Sequence, residues 1–288
     1  MMSPIIKGSV LIIIASLLFS ITGTLRVFAP EEASTFVITE MRVLIGFVCM
    51  FAWCAVTQKL PKRFDNIPWR FVALCVVGSI GYQFCFFSSM LFVGVAVGTV
   101  VAMGVTPCWS AVIAFVFKGI KPSSAWYIAT GLSIAGVICL NLSEIDIENP
   151  IFLTLPVLAG LFSSFYIEGC SHLMRKLEPE TAVLLIVTCI SIVLSPVFFI
   201  FPVAWIATPS GLTVCLALGV LTCGFGFPVF MAGARYLRPP VVATINMIEP
   251  VCAASLGIFL LNEDATLLVI TGIVLVCAGV LYLVLKEK

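Results

Sequence analysis

The chain is built around apolar runs too long and too frequent for a water-soluble core. Between Lys7 and Arg26 lies Gly8 to Leu25, a stretch without a single charge. A helix rises 1.5 Å per residue, so about 20 such residues cross the hydrocarbon of a bilayer. Runs of this kind recur to the end of the sequence. They place spans near 6–27, 33–57, 69–91, 95–117, 122–142, 151–174, 180–202, 211–235, 240–261 and 265–285. Composition agrees: 61% of residues are hydrophobic and 10% charged, where soluble domains carry about 25% charged residues. One globular core cannot enclose that much apolar surface. The expected fold is an all-α integral membrane protein of ten transmembrane helices. The first run imitates a signal peptide, but no small-residue cleavage site follows it and further spans do.

Basic residues orient the spans. Lys and Arg number 15. With the N-terminus in the cytoplasm, every one except Arg26 and Arg42 falls on the cytoplasmic side, Arg26 alone lies in an outer segment, and Arg42 sits inside the second span. This bias follows the positive-inside rule and puts both termini in the cytoplasm. The outer loops carry Glu31 and Glu32, then Glu144, Asp146 and Glu148, then Glu263 and Asp264.

The two halves align at an offset of 143: Pro107 falls on Pro250, Ala111 on Ala254, Ala135 on Ala278, Gly136 on Gly279 and Leu140 on Leu283. Each half, 1–145 and 146–288, holds five spans. Five is odd, so the second copy would enter the bilayer inverted. The charges agree, since the loop with Lys118 and Lys121 is cytoplasmic and its counterpart with Glu263 and Asp264 is outside. Inverted repeats mark secondary transporters, whose sites lie near mid-bilayer between the copies.

The closing pattern Glu249-Pro250, Ala253-Ala254, Gly257, Glu263, Gly272 and Gly279 resembles the signature of EamA-type transporters of the drug/metabolite transporter superfamily. Arg42, in "TEMRVLIGF", resembles the basic residue common at that place in the family. The likeness spans the whole chain. It implies two EamA-like five-helix copies and export of an amino acid or related metabolite. Pro239-Pro240 at the start of the ninth span and Glu168 in the sixth depart from the family pattern.

Charged groups inside spans are costly, about 2.5–3.5 kcal/mol each on insertion scales, and normally face water or a partner. Glu40, Arg42, Glu168 and Glu249 are such groups. Glu40 and Arg42 stand two apart and point to roughly opposite sides of one helix. Arg42 is therefore expected to face Glu249 or Glu168 across the bundle. Pro250 lacks an amide hydrogen and frees the carbonyl of Asn246 beside Glu249; the alternative is a kinked packing helix with Glu249 in a buried salt bridge. Pro107 repeats the kink beside Thr106. Glu168 either takes a coupling proton or pairs with Arg175. Glu40 lies close enough to the outer end to reach the surface. Tyr82, Gln83, Trp109, Tyr166, Phe227 and Asn246 are uncharged pocket candidates, against simple packing. Gln83 and Asn246 stand out, because an unpaired amide in hydrocarbon is costly. Gly94 and Gly98 form a GxxxG packing motif.

The 12 cysteines contain no CxxC pair and read as small hydrophobes within spans. The single histidine, His172, lacks ligand companions, so no metal or cofactor is expected. The sequence holds no phosphate-binding GxxxxGK[ST] loop, HExxH helix or GxSxG elbow. A net charge of +1 points to no nucleic-acid partner. The expectation is a non-enzymatic, multi-pass transporter of the cytoplasmic (inner) membrane, working by alternating access with or without proton coupling. Its partners are a small-molecule substrate and the lipid bilayer, with a homodimer left open. The alternatives are a membrane-embedded enzyme acting on lipid and a non-transporting scaffold or sensor.

Overall fold

The computed structural model describes residues 3–61, 67–142, 150–261 and 264–287. Lys62, Arg63, Glu144, Asp146, Glu148, Asn262, Glu263 and Lys288 lie outside the described residues. The described chain is helical: α1 (Pro4–Arg26), α2 (Thr35–Val56), α3 (Trp69–Lys118), α4 (Ser124–Asn141), α5 (Thr154–Leu173), α6 (Pro179–Leu194), α7 (Val197–Ile200), α8 (Pro209–Leu218), α9 (Phe227–Ala234), α10 (Pro239–Asn246), α11 (Ile248–Leu260) and α12 (Leu267–Lys286). Nine helical stretches among the described residues are long and apolar enough to cross a membrane. Their outer surface suits lipid: Phe199 is 92% and Phe259 82% exposed.

Helix starts follow local chemistry. Ser3, Ser123, Thr208 and Thr266 each accept a first-turn backbone N–H through the side chain, satisfying a donor that the helix itself leaves free. Pro4, Pro179, Pro209 and Pro239 enter first turns, where a missing N–H costs nothing. Pro239-Pro240 is thereby accommodated. The Pro240 carbonyl also accepts from Trp126 Nε1 at 3.1 Å, tying α10 to α4.

The 50-residue α3 is two arms. Gly94 has φ 79° and ψ 163°, a conformation essentially reserved for glycine. The chain doubles back there: a Cβ at Gly98 would lie 2.7 Å from Ser89 Oγ, although nine residues of straight helix would separate them by about 13 Å. Gly94 is thus a reversal, not part of a helix-packing GxxxG face. Through Pro107 the backbone keeps helical dihedral angles, and Gly94 is where α3 leaves them.

Helix α5 packs on both arms. Phe71 stacks on His172 at 4.2 Å and Phe92 on Phe152 at 4.4 Å, so the first arm runs antiparallel to α5. Ser164 Oγ donates to the Thr106 carbonyl at 2.9 Å, and Lys118 pairs with Glu168, so the second arm runs parallel to it.

Helices α4 and α12 are also antiparallel. A Cβ at Gly136 would stand 2.8 Å from the Gly272 carbonyl oxygen, and one at Gly279 would stand 2.7 Å from that of Ala129. In lipid no hydrophobic force drives helices together, and close backbone packing through small residues does that work.

Candidate substrate-binding site

Two interruptions of helical winding place the polar residues at the centre. The first separates α10 from α11 at Met247 (ψ −6°). It falls three residues before Pro250, which cannot donate to the Asn246 carbonyl. The second is a π-helical stretch, Gly219–Gly226, that joins α8 to α9. It ends two residues before Pro228 and carries Gly219, Gly224 and Gly226, so the wider turn meets little side-chain bulk. Cys223 presses on Gly46 of α2, and the Arg42 carbonyl lies close to Gly219. Such wide turns occur frequently at functional sites.

Around these breaks a polar chain crosses the bundle. Ser16 of α1 lies 3.0 Å from Asn246 Oδ1, and Asn246 Nδ2 donates to Glu249 Oε2 at 3.2 Å. Across from them Arg42 Nη2 donates to Gln83 Oε1 at 3.2 Å. Gln83 Nε2 in turn donates to Ser79 Oγ and the Ser79 carbonyl, both at 3.3 Å. The Arg42 charge acts on the Glu249 carboxylate, and both act on the Tyr82 hydroxyl. Yet among the described residues Arg42 forms no ion pair with Glu249 or Glu168 within 4.0 Å. Arg42 Nε is buried without a hydrogen-bond partner. The site therefore holds a guanidinium and a carboxyl group, each bonded to an amide and not to the other. Such a pair can receive a carboxylate at one end and an ammonium at the other.

A groove touches the cluster at Gln83. Phe36, Thr39, Ile80, Gln83, Phe84, Phe87, Leu194 and Val197 line a small cleft of about 50 Å³, open at the mouth. It lies between α2, the first arm of α3 and the α6–α7 segment, on the half of the bundle that contains Gly94. Gln83 lines it and is also Arg42's acceptor.

The other expected residues divide. Tyr82 joins the cluster and stacks on Phe86 at 5.1 Å. Tyr166 packs beside Phe227 and Phe230 at 6.0 and 6.1 Å, one layer behind α9. Trp109 is half-buried on the second arm of α3, and Pro107 is buried there. Glu168 stands at the opposite end of the bundle from the groove. It is held by Lys118 and by His172 Nδ1 at 3.2 Å, so its partners are Lys118 and His172 where Arg175 or Arg42 was expected. Glu40 does not reach the surface: it is 0% exposed, on the side of α2 that meets Ser191 of α6. The 12 cysteines are free, and no metal-sized cluster occurs among the described residues.

Sequence reading missed Ser16, Ser79, Lys118 and the π-helical stretch. Ser9, Ser16 and Ser20 share the buried face of α1, and that spacing inside an apolar run was the available signal.

This arrangement of apolar helices around buried, convergent polar groups defines a multi-pass membrane transporter. The chain belongs to the EamA-like transporter family, whose model matches residues 6–142 and again 151–285. It is similar to the uncharacterized transporter YwfM of Bacillus subtilis (strain 168). The two are 29% identical over 274 residues, which is 95% of this chain and 92% of that one. A solved structure described only as "Crystal structure of protein" shares the fold at a TM-score of 0.80 and 17% identity, covering 97% of this chain and 96% of that one.

Proposed function

We propose that the protein is a secondary transporter that exports an amino acid or a related metabolite across the cytoplasmic membrane by alternating access. Two inverted five-helix copies, 1–145 and 146–288, rock about the cluster of Arg42, Gln83, Asn246 and Glu249, with the two arms of α3 counted as separate crossings. The antiparallel packing of α4 on α12, the last helix of each copy, supports the inversion. The family match in two consecutive segments supports the duplication.

One observation carries the substrate class. Arg42 comes from the first copy and Glu249 from the second, and the two feel each other's charge without closing an ion pair. A substrate with a carboxylate and an amine completes both. Its binding draws the copies together, which is what a transport cycle requires of binding energy.

Ionic contacts at the end of the bundle opposite the groove join the copies in this conformation. Lys59 pairs with Glu180 at 2.9 Å, Lys118 with Glu168, and Ser123 Oγ bonds Glu287 at 2.7 Å. The basic residues make that end the cytoplasmic one. The conformation is accordingly open outward and latched inward.

The deciding experiment is a transport screen in proteoliposomes with a panel of amino acids and relatives, at two internal pH values. Transport of a zwitterionic member, lost in Arg42→Gln and in Glu249→Gln, supports the reading. Transport of the panel by neither wild type nor variants, or transport indifferent to both substitutions, overturns it.

A further inference from the structure

Glu40 lies outside the substrate cluster and has no part in it. It is 0% exposed, and neither carboxyl oxygen has a hydrogen-bond partner among the described residues. Ser191 of α6 is the polar side chain that acts on it, from across the α2–α6 contact, and the Ser191 hydroxyl is itself buried and unpartnered.

Among the described residues no cation pairs with the carboxyl; Arg26 of α1, which reaches α2, bonds Thr35 there. Of the elements packed on α2, α6 offers Glu180, which Lys59 holds at the cytoplasmic end, and Cys189. Helix α8 offers Cys215, the π-helical stretch Cys223, the first arm of α3 Tyr82 and Cys85, and α7 nothing titratable. On α2 itself Arg42 is turned away to Gln83. An isolated carboxylate in such surroundings costs several kcal/mol and takes a proton instead. A protonated carboxyl gains an O–H donor, which a small rotation brings to the Ser191 oxygen.

The groove approaches the same seam. Thr39, the neighbour of Glu40, lines it, and so does Leu194, one helical turn beyond Ser191. Glu40 and Ser191 are therefore separated from open space by about one turn of α2 and of α6. These helices belong to different copies.

We propose that Glu40 is a proton-binding site of the transport cycle, filled in this conformation and emptied when α2 and α6 part. The inference rests on the alternating-access reading above. When the bundle opens inward and α2 and α6 part, water from the cytoplasmic side reaches the carboxyl. The acid O–H bond breaks, the proton passes to water, and the carboxylate is left hydrated. When the outward-open conformation re-forms, the carboxylate recovers a proton from water in the groove, so each cycle carries one proton inward. The site is spatially separate from the substrate's own anchors at Arg42 and Glu249.

The test starts with the protein alone. Infrared titration of the purified protein in lipid nanodiscs at neutral pH is expected to show a protonated-carboxyl stretch with a Glu40 component that is lost in Glu40→Gln and kept in Glu249→Gln. Ser191→Ala should shift that band without removing it, which keeps the test decisive if Glu40→Gln folds poorly. A wild-type spectrum without the band, or a band that Glu40→Gln leaves in place and Ser191→Ala leaves unshifted, overturns the proposal whether or not any panel member is transported. In proteoliposomes, Glu40→Gln should lose accumulation of a transported amino acid driven by a pH gradient while retaining exchange of labelled for unlabelled amino acid. Gradient-driven accumulation equal to wild type would also overturn the proposal. Failure of the whole panel in wild type would strike the substrate reading and leave the infrared result standing.

Discussion

Arg42 Nη2 donates to Gln83 at 3.2 Å, while the Glu249 carboxylate, which feels the same guanidinium, is bonded to Asn246 at 3.2 Å instead. A guanidinium and a carboxyl group, each held by an amide, form a divided receptor. Each half should then be separately measurable. A hydrogen bond to a charged group is worth about 1.5–3 kcal/mol, roughly 10- to 150-fold in affinity. Arg42→Gln should weaken binding of a zwitterionic substrate by that order and leave binding of its decarboxylated amine nearly unchanged. Glu249→Gln should do the reverse, sparing the analogue that lacks the amine. Competition by the two analogues against labelled substrate checks this; equal losses for both analogues in both variants would disprove the division.

Gly94 carries the reversal of α3 at φ 79° and ψ 163°. A Cβ there meets no neighbouring atom, so Gly94→Ala tests backbone strain alone. Residues forced into such regions cost about 1–3 kcal/mol. The variant should unfold at lower temperature in detergent, by an amount that Gly23→Ala, an equally open position with helical dihedrals, does not show. Indistinguishable melting of the two variants would contradict the reversal.

Much of this architecture was legible because a bilayer imposes one rule on every segment. A run such as Gly8 to Leu25 can satisfy its backbone groups only as a helix, so length and apolarity locate it. Glu249-Pro250 was equally readable, because a missing amide and a costly carboxyl coincide. Partner choice was not. Arg42 was expected to meet a carboxylate, and it meets Gln83, since Asn246 has already taken Glu249. Glu168 was read against Arg175 on its own chain segment, yet Lys118 arrives from the second arm of α3, an approach that only the reversal at Gly94 creates. Glu40 was read by its distance along the helix from the outer end, a measure blind to α6 packed beside it.

At the α4–α12 contact the backbones leave no room for a side chain. A Cβ on Gly136 would meet Val276 Cγ2 at 2.6 Å and the Gly272 carbonyl oxygen at 2.8 Å. Overpacking of this kind costs about 1–3 kcal/mol. Gly136→Leu should lower the melting temperature and reduce transport, whereas Gly131→Leu, on the open side of the same helix, should leave both near wild type. Equal behaviour of the two would show that α4 and α12 do not rely on this contact.

The pair between Lys118 and Glu168 joins the second arm of α3 to α5 at the end away from the groove, with side-chain exposures of 20% and 8%. Removing one member strands a charge in a poorly hydrated place, which for buried pairs costs about 3–5 kcal/mol; the partial exposure of Lys118 reduces that here. Lys118→Met should therefore destabilise the protein more than the double variant Lys118→Met with Glu168→Gln, in which no charge is stranded. If the contact also latches the cytoplasmic end, Lys118→Met raises the reactivity of Cys170, which is 0% exposed and two residues beyond Glu168. Maleimide labelling followed by peptide mapping reads this directly. A Cys170 that stays unlabelled in Lys118→Met, together with a single variant as stable as the double, would reduce the contact to an incidental surface pairing.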